Sequence, residues 1–210
     1  ISLWDDQLVL TSGLRYDSFD YQANTDSLWD EPLKDHDSSK VSVKLGGVYK
    51  FNKTFSGFAQ YSEGFKAPNV RELYYTRDGG TYLTLPNENL DPEESQSYEI
   101  GLRANGAWGN AELVHFYNDY ENFIETVVLN TNAPYTNGIS QAQNIAEAVI
   151  KGWDLRSSLW LDEVIGAPLG TSFNLSMAYS EGEGKQSGQS SAPLNSIAPL
   201  KTVMGLTYEN

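Results

Sequence analysis

Residues 58–68 read Phe58-Ala59-Gln60-Tyr61-Ser62-Glu63-Gly64-Phe65-Lys66-Ala67-Pro68, and residues 95–103 read Ser95-Gln96-Ser97-Tyr98-Glu99-Ile100-Gly101-Leu102-Arg103. Apolar and polar residues alternate in both stretches, which is typical of β-strands whose two faces meet different surroundings. A long polar connection, 64–94, joins the two predicted strands. Connections of this length that are not disordered usually carry function, so we expect a functional loop here.

Each end of this loop carries a proline. Lys66-Ala67-Pro68 stands at its entry, and Leu90-Asp91-Pro92 stands at its exit. Proline fixes its own φ and pushes the preceding residue into extended geometry. We therefore expect rigid entry and exit points.

Period-2 alternation recurs along the whole chain, and no segment shows a convincing helical period. In the clearest case Phe173, Leu175 and Met177 share one face, while Asn174 and Ser176 share the other. The pattern predicts an all-β protein with eight strands, near 7–19, 40–51, 55–63, 95–103, 110–124, 145–161, 171–180 and 199–208.

Short and long connections alternate between these strands. Asn52-Lys53-Thr54 is a short turn, whereas the connections at 20–39, 64–94, 125–144 and 181–198 are long. Outer-membrane β-barrels are built with long loops on one side and short turns on the other. We therefore predict antiparallel transmembrane β-barrel strands with aromatic girdles near their ends. A charge at the bilayer midplane costs roughly 2–4 kcal/mol, so four charged strand residues are expected to face a lumen: Glu99, Arg103, Asp154 and Arg156.

Composition excludes several function classes. Fourteen basic against 28 acidic residues argue against nucleic-acid binding, and the absence of cysteine excludes thiol and disulfide chemistry. No apolar run approaches the ~20 residues of a membrane helix. The carboxylates form no convincing acid–base pair, and we expect neither catalytic residues nor a metal site. His36 lies in an acidic segment with Asp30, Glu31, Asp35 and Asp37, which is either solvated or holds a cation.

The boxes around the 64–94 loop resemble those of TonB-dependent outer-membrane receptors, in particular the haem/haemoglobin-uptake branch. Phe65-Lys66-Ala67-Pro68 is similar to a Phe-Arg-Ala-Pro box, and Asn87-Glu88-Asn89-Leu90 is similar to an Asn-Pro-Asn-Leu box. Asp91-Pro92-Glu93 and the strand from Tyr98 to Arg103 continue the pattern. The resemblance runs across nearly all 210 residues.

This resemblance implies a roughly 22-stranded barrel closed by a plug domain. Residues 1–210 would then be a fragment, a partial β-barrel domain from the C-terminal barrel region, without the plug and the remaining strands. The implied function is uptake of haem or another iron carrier, such as a ferric siderophore, across the bacterial outer membrane. The implied partners are the TonB complex through the absent plug, an extracellular haem protein or iron carrier, and outer-membrane lipid. No intrinsic cofactor is expected.

The resemblance also implies that the loop and its boxes bind the ligand. The loop of haem receptors commonly carries a histidine, and residues 69–86 contain none. Haem iron would then need a tyrosine phenolate, a known axial ligand. Alternatively, the loop tyrosines are anchors with one wet end and one packed end. The candidate ligand-binding residues are Phe65, Lys66, Ala67, Pro68, Tyr74, Tyr75, Tyr82, Asn87, Asn89 and Leu90.

Two rival functions remain open from the sequence. The first is a soluble β-sandwich carbohydrate-binding module, in which exposed tyrosines would stack on sugars. The second is an outer-membrane hydrolase barrel, which would require a nucleophile paired with His115.

Overall fold

A computed structural model of the chain describes residues 1–23, 33–185, 190–194, 197–198 and 200–209. Within these residues twelve strands form one sheet. In chain order the elements are β1 (Ser2–Leu3), β2 (Leu8–Tyr21), β3 (His36–Lys50), β4 (Phe55–Lys66), α1 (Val70–Tyr74), β5 (Arg77–Asp78), β6 (Leu83–Leu85), β7 (Glu93–Gly106), β8 (Gly109–Asn130), β9 (Ile139–Trp160), α2 (Leu161–Ile165), β10 (Thr171–Lys185), β11 (Ala192–Pro193) and β12 (Leu200–Tyr208).

Strands that are neighbours in the sheet are mostly neighbours in the chain. The order is β1-β2-β3-β4-β7-β8-β9-β10, and β10 then pairs with both β11 and β12. These pairs are antiparallel, whereas β6 pairs parallel with the start of β9. In the described part of the chain the sheet is open and has no second layer packed on it. This arrangement does not favour the β-sandwich alternative, which needs two stacked sheets.

One face of the sheet, the apolar face, exposes large side chains to the surroundings. Ile100 is 62% exposed and Leu102 is 59% exposed, although both lie in the middle of β7. A continuous exposed apolar surface that extends across this many strands is unfavourable in water. Three rows of paired residues run across it: Leu45-Tyr61-Tyr98-Tyr117-Lys151-Glu181, Gly47-Ala59-Ile100-His115-Trp153-Tyr179 and Tyr49-Gly57-Leu102-Leu113-Leu155-Met177.

Aromatic side chains border the apolar face at both ends. On β4, Phe55 and Tyr61 point to this face with Ala59 between them. The rise per residue separates these two rings by roughly 20 Å along the strand, close to the height of the apolar band of a membrane barrel. The Tyr61 ring contacts Tyr98. At the other end the Tyr49 ring contacts Phe51, whose N–H donates to the Phe55 carbonyl at 3.0 Å.

The opposite face of the sheet is polar and concave. A hollow of about 560 Å³ lies on it, and its lining includes the four charged residues that the sequence places there, Glu99, Arg103, Asp154 and Arg156. The charges are paired: Arg103 binds Glu112, and Arg156 Nε lies 2.9 Å from Asp154 Oδ1. The two faces thus separate most apolar from most charged side chains, as the alternation predicts, although Lys151 and Glu181 form an ion pair at the edge of the apolar face.

Several connections are more structured than the sequence suggests. The predicted connection 125–144 is shortened to residues 131–138, because β8 continues to Asn130 and β9 begins at Ile139. β10 likewise continues to Lys185, into the predicted 181–198 connection. The 64–94 connection contains α1, β5 and β6. The described residues form twelve strands where the sequence predicted eight, because the short β1, β5, β6 and β11 were not predicted.

The expectation of no helix was wrong for two single turns. Helix α1 begins after Asn69, and α2 ends at Gly166, whose φ of 69° suits a glycine C-cap. Turns of five residues are too short to show a helical period in the sequence. No helix of the described residues is long and apolar enough to cross a membrane.

Gly152 marks a close approach of β9 to both of its neighbours, β8 and β10. A Cβ atom there would lie 2.1 Å from the backbone oxygen of Tyr179 and 2.7 Å from Phe116 Cζ, whereas Gly205 has nothing within 4 Å. We expect Gly152→Ala to lower the melting temperature because a backbone atom must move. Gly205→Ala should leave it unchanged or raise it slightly, by up to about 1 kcal/mol of stability. Thermal unfolding of both variants in detergent checks this, and equal melting temperatures would contradict the strand contact.

Candidate functional site

The long loop, residues 67–92, is fastened at its base by one carboxylate. Glu93 is buried, and its Oε1 accepts hydrogen bonds from Lys66 Nζ at 2.8 Å and from the backbone N–H of Ile124 at 3.0 Å. Lys66 ends β4, Glu93 begins β7 and Ile124 lies in β8. The carboxylate therefore joins three strands where the loop leaves the sheet.

Helix α1 begins at a capping box. Asn69 Oδ1 accepts from the N–H groups of Arg71 and Glu72, at 2.9 and 3.1 Å, and Glu72 Oε2 accepts from the Asn69 N–H at 2.8 Å. This reciprocal pattern satisfies the free donors at a helix start. Pro68, just before the cap, is fully buried and sets the direction of entry.

The loop packs on an extension of the β8–β9 hairpin. Strand β7 pairs with β8 only as far as Glu121, and β10 pairs with β9 only as far as Glu147. Residues 122–130 of β8 and 139–146 of β9 therefore extend beyond both neighbouring strands. Leu73 and Leu90 are buried against this extension, where they contact Ile124 and Ala142. Burying an apolar side chain of this size contributes roughly 1.5–3 kcal/mol, which holds the loop in place.

The second box is also tied to the extension. Asn87 Nδ2 donates to the Ala142 carbonyl at 2.8 Å, and Asn87 Oδ1 accepts from the Asn89 N–H at 3.2 Å. Asn89 itself is exposed, while Leu90 belongs to the buried cluster. Gln141 Nε2 adds a bond to the Pro86 carbonyl at 2.7 Å.

Tyr74 anchors the loop to the β2–β3 connection. Its hydroxyl donates to the Lys34 carbonyl at 2.8 Å, and its ring packs against the buried cluster. Burial, followed by the charges of Asp35 and Glu88, raises the pKa of the Tyr74 hydroxyl. A raised pKa disfavours the phenolate form, so Tyr74 is poorly suited to ligate a metal.

The β5–β6 hairpin is tied to the connection between β8 and β9. Asn137 Nδ2 donates to Thr81 Oγ1 at 3.0 Å, and the Tyr135 hydroxyl donates to Asp78 Oδ2 at 3.1 Å. That hydrogen bond is the main cause of the raised pKa of Tyr135. Gly79 lets the Tyr82 ring fold onto the hairpin, since a Cβ there would lie 2.1 Å from the ring.

Between α1, the β5–β6 hairpin and the extension lies a cleft of about 410 Å³, here called the loop cleft. Its prominent side chains are two arginine–tyrosine pairs. Arg71 Cζ lies 4.8 Å from the centre of the Tyr75 ring, and Arg77 Cζ lies 5.4 Å from that of Tyr82. In the described part of the chain neither guanidinium has an ion-pair partner. Two guanidinium groups beside two aromatic faces suit an anionic, planar ligand.

The structure brings together only part of the predicted site. Tyr75 and Tyr82 line the loop cleft, whereas Tyr74 faces Lys34. Phe65 contacts Phe19 at 6.1 Å, Lys66 binds Glu93, and Ala67, Pro68 and Leu90 are buried. The boxes therefore shape the loop, and any ligand contact by them stays a prediction.

Sequence reasoning missed Arg71 and Arg77. A signal for Arg71 was present, because Asn69 and Glu72 have the spacing of a capping box and Arg71 stands four residues before Tyr75. The pairing of Arg77 with Tyr82 depends on the hairpin turn at Gly79 and Gly80, which the sequence alone does not define.

The two histidines form no catalytic or metal site in the described residues. His115 Nδ1 lies 2.8 Å from the Gly152 carbonyl oxygen, and its ring packs on Trp153 at 4.5 Å. That structural role does not support the hydrolase alternative. His36 begins β3 beside Tyr21, and its predicted neighbours Asp30 and Glu31 lie outside the described residues. No group of three or more His, Cys, Asp and Glu side chains suited to a metal ion occurs in the described ranges.

Comparison with known proteins gives a match along the whole chain. The family described as TonB dependent receptor-like, beta-barrel, matches residues 1–210. Among solved structures, the copper transporter OprC superposes with a TM-score of 0.75 at 20% identity, covering 99% of this chain and 31% of that one. At this identity the likeness shows the fold.

Two similar relatives come from Haemophilus influenzae. The probable hemoglobin and hemoglobin-haptoglobin-binding protein 4 is 29% identical over 81% of this chain and 18% of its own length. Hemoglobin-binding protein A is 28% identical over 98% of this chain and 24% of its own length. The chain thus spans about a fifth to a quarter of these relatives.

Glu88 stabilises the contact between the long loop and the β2–β3 connection. Its carboxylate accepts from the Lys34 N–H at 2.8 Å and lies 3.0 Å from Lys34 Nζ. Hydrogen bonds from Lys34, chiefly from its side chain, lower the pKa of Glu88. A lowered pKa means that this stabilisation is complete at neutral pH and is lost as the pH falls through the folded-state pKa.

We therefore expect faster hydrogen exchange at residues 33–35 and 87–90 in acid, and in Glu88→Gln at neutral pH. The increase should be at most about fivefold, because partly exposed ion pairs contribute up to about 1 kcal/mol. Glu163→Gln in α2 is the matched control and should change nothing. Unaltered exchange in Glu88→Gln would show that the contact does not hold the loop.

Proposed function

The chain belongs to the TonB-dependent receptor β-barrel family, and we propose that it forms part of an outer-membrane receptor that imports haem or another iron carrier. The family consists of receptors and transporters rather than enzymes, and its members are outer-membrane β-barrel proteins. The loop cleft is the single observation that carries the cargo proposal. The sheet would be one part of the barrel wall, and residues 1–210 one part of the barrel domain.

The chemistry of the loop cleft fits anionic iron carriers. Haem has two carboxylate groups on a flat aromatic ring, and many ferric siderophores are anionic and contain aromatic rings. Arg71 and Arg77 would bind carboxylate or catecholate oxygens, for which guanidinium geometry is well suited. Tyr75 and Tyr82 would stack on the ring, or one of them would ligate the haem iron through its phenolate oxygen.

The names of the relatives favour haem. Both H. influenzae relatives are described by their binding of hemoglobin, and they match this chain across the long loop and the barrel strands. The similarly folded OprC is described as a copper transporter, so the barrel alone does not decide the cargo. An extracellular haem protein is accordingly the proposed partner, and a ferric siderophore is the second candidate cargo.

Transport would need parts that lie outside this sheet. The polar hollow beside Arg103 and Arg156 offers charged groups to a plug domain inside the barrel. The TonB complex would act on that plug to release the ligand. The apolar face would contact outer-membrane lipid, because its exposed leucines and isoleucines suit hydrocarbon.

The first test concerns the lipid contact. Leu175 lies on the apolar face between Ser157 and Met204, and the neighbouring Asn174 points to the polar face. We expect Leu175→Arg to reduce strongly the amount of full-length receptor in outer membranes, because a lipid-facing arginine costs roughly 2–4 kcal/mol at the midplane. Asn174→Arg, the control, should assemble despite losing its hydrogen bonds to Ser158 and Thr207. Equal assembly of both variants would contradict the barrel orientation.

The second test concerns the cargo. Haemin and a ferric catecholate siderophore should be titrated into the full-length receptor, with affinity and the haem absorption spectrum recorded. We expect Arg71→Gln and Arg77→Gln to weaken binding, each by roughly tenfold to a hundredfold, since a charge-assisted hydrogen bond is worth about 1.5–3 kcal/mol. If haem is held through a phenolate, Tyr75→Phe or Tyr82→Phe should change the spectrum.

Tyr74→Phe is the matched control, because its hydroxyl is directed at Lys34 and away from the cleft. A spectral change in Tyr74→Phe alone would place the ligand elsewhere in the loop. Tight binding of the siderophore without binding of haemin would show that the cargo is not haem. Binding of both ligands unaffected by either arginine variant would exclude the loop cleft as the site.

A further inference from the structure

Strand β8 has an unpaired side above the end of β7. The pairing of β7 with β8 ends at Glu121, and beyond this residue β8 pairs with β9 alone. The N–H of Ile124 points to the β7 side, because it donates to the carboxylate of Glu93 in β7. Backbone groups point alternately to the two sides of a strand, so those of Thr126 and Val128 point to the β7 side as well. Among the residues that the structure describes, these N–H and C=O groups, here called the β8 edge, have no backbone partner.

The β8 edge lies beyond the membrane band that the apolar face defines. Tyr117 belongs to the row of that face nearest the long loop, and Thr126 follows nine residues later. The rise per residue places the edge roughly 30 Å further along the strand. Two side chains beside it are in contact with solvent, since Val128 is 61% and Leu129 is 43% exposed. The unpaired groups therefore meet water and not hydrocarbon.

The sequence of the β8 edge does not block the addition of a strand. Proteins commonly protect an exposed edge with lysine, proline or a bulge. Residues 126–129 read Thr-Val-Val-Leu, three β-branched residues and a leucine without a charge. The shift in the β8–β9 register lies between Val128 and Asn130, at the far end of the edge. An edge of this composition is a template for a further strand.

The β8 edge borders the loop cleft. The side chain of Thr126 lines this cleft, and so does that of Ala142, its partner on β9. A strand added to β8 would extend the same sheet, and one row of its side chains would lie at the border of the cleft. The edge is thus placed to hold a partner beside the proposed cargo site.

We propose that the β8 edge binds an extended segment of the extracellular haem protein that delivers the cargo, and that the segment adds to the sheet as a further strand. Hydrogen bonds with the main chain of Thr126 and Val128 would supply affinity, as is usual for strand addition. The haem protein would then be held where its haem can pass to the loop cleft. The inference rests on the proposed function, which makes that cleft the cargo site.

The direction of the β8 edge favours an extracellular partner over a second copy of the receptor. The edge is directed along the sheet, toward the space above β7 and β4, because it continues the side on which β7 pairs. A second barrel in the same membrane would stand against the apolar face, at right angles to this direction. A segment of an extracellular protein can reach the edge from above.

The variant Val128→Pro tests the edge directly. Proline removes the Val128 N–H and is tolerated in edge strands where that N–H faces solvent, so the pairing with β9 should persist. Binding of two probes, haemoglobin and free haemin, is measured with the full-length receptor. We expect haemoglobin to bind about fivefold more weakly, the effect of one lost backbone hydrogen bond, and haemin to bind as before. Val128→Thr keeps the N–H and the β-branched shape, and this matched control should bind both probes like the wild type.

Hydrogen exchange of peptides covering residues 125–130 locates the contact. The free receptor should exchange rapidly there, and haemoglobin should slow the exchange. Slow exchange in the free receptor would show that another part of the receptor covers the edge, and it would overturn the inference. Dimers joined through the edge, or a wild type that binds haemin and not haemoglobin, would do the same.

The comparison of the two probes separates this inference from the proposed function. Equal haemoglobin affinity of Val128→Pro and the wild type would overturn the inference and leave the cargo site untouched. Equal weakening of both probes in Val128→Pro would assign the effect to the loop cleft and would also overturn it. Failure of the wild type to bind haemin would instead overturn the proposed haem cargo.

Discussion

The position of the long loop and of the strand ends that carry it depends on one buried carboxylate. Glu93 accepts hydrogen bonds from Lys66 and from the backbone of Ile124, and it is shielded from water. A desolvated charge is tolerated only where its partners are in place, so the carboxylate favours a single arrangement of β4, β7 and β8. The loop that carries Arg71, Tyr75, Arg77 and Tyr82 starts and ends at this point. Its cleft is positioned by strand geometry more than by the loop itself.

The residues that the structure describes form no core between two layers. The described residues that are both apolar and buried, such as Leu73, Leu90, Ile145 and Leu194, lie in the loops and the β8–β9 extension. The long strands are held mainly by backbone pairing, while their apolar side chains face outward. Such a sheet is stable when lipid replaces the missing layer, because closed backbone hydrogen bonding is what hydrocarbon requires. The loops follow the rules of soluble proteins, and the strands follow those of membrane proteins.

The long strands were predictable because side chains alternate strictly where two different solvents meet, as at Phe173 to Tyr179. The β8–β9 extension was not, because Val127, Val128 and Leu129 are consecutive apolar residues and break that period. Helix α1 was missed because a single turn is too short to show a helical period, although the sequence contains its capping box. The cleft depends on contacts between residues far apart in sequence, such as Asn87 with Ala142 and Asn137 with Thr81. No local pattern encodes such contacts.

The loop cleft is built from one continuous stretch of chain, between Asn69 and Ala142. That stretch enters from β4 and leaves along β9, two strands whose register is set by backbone pairing and therefore tolerates different side chains. Exchange of this one segment between two barrel genes would thus transfer the loop cleft together with the strands that support it. In evolutionary terms, the loop cleft can be exchanged together with β7 and β8, while the strands on either side of this segment are inherited unchanged.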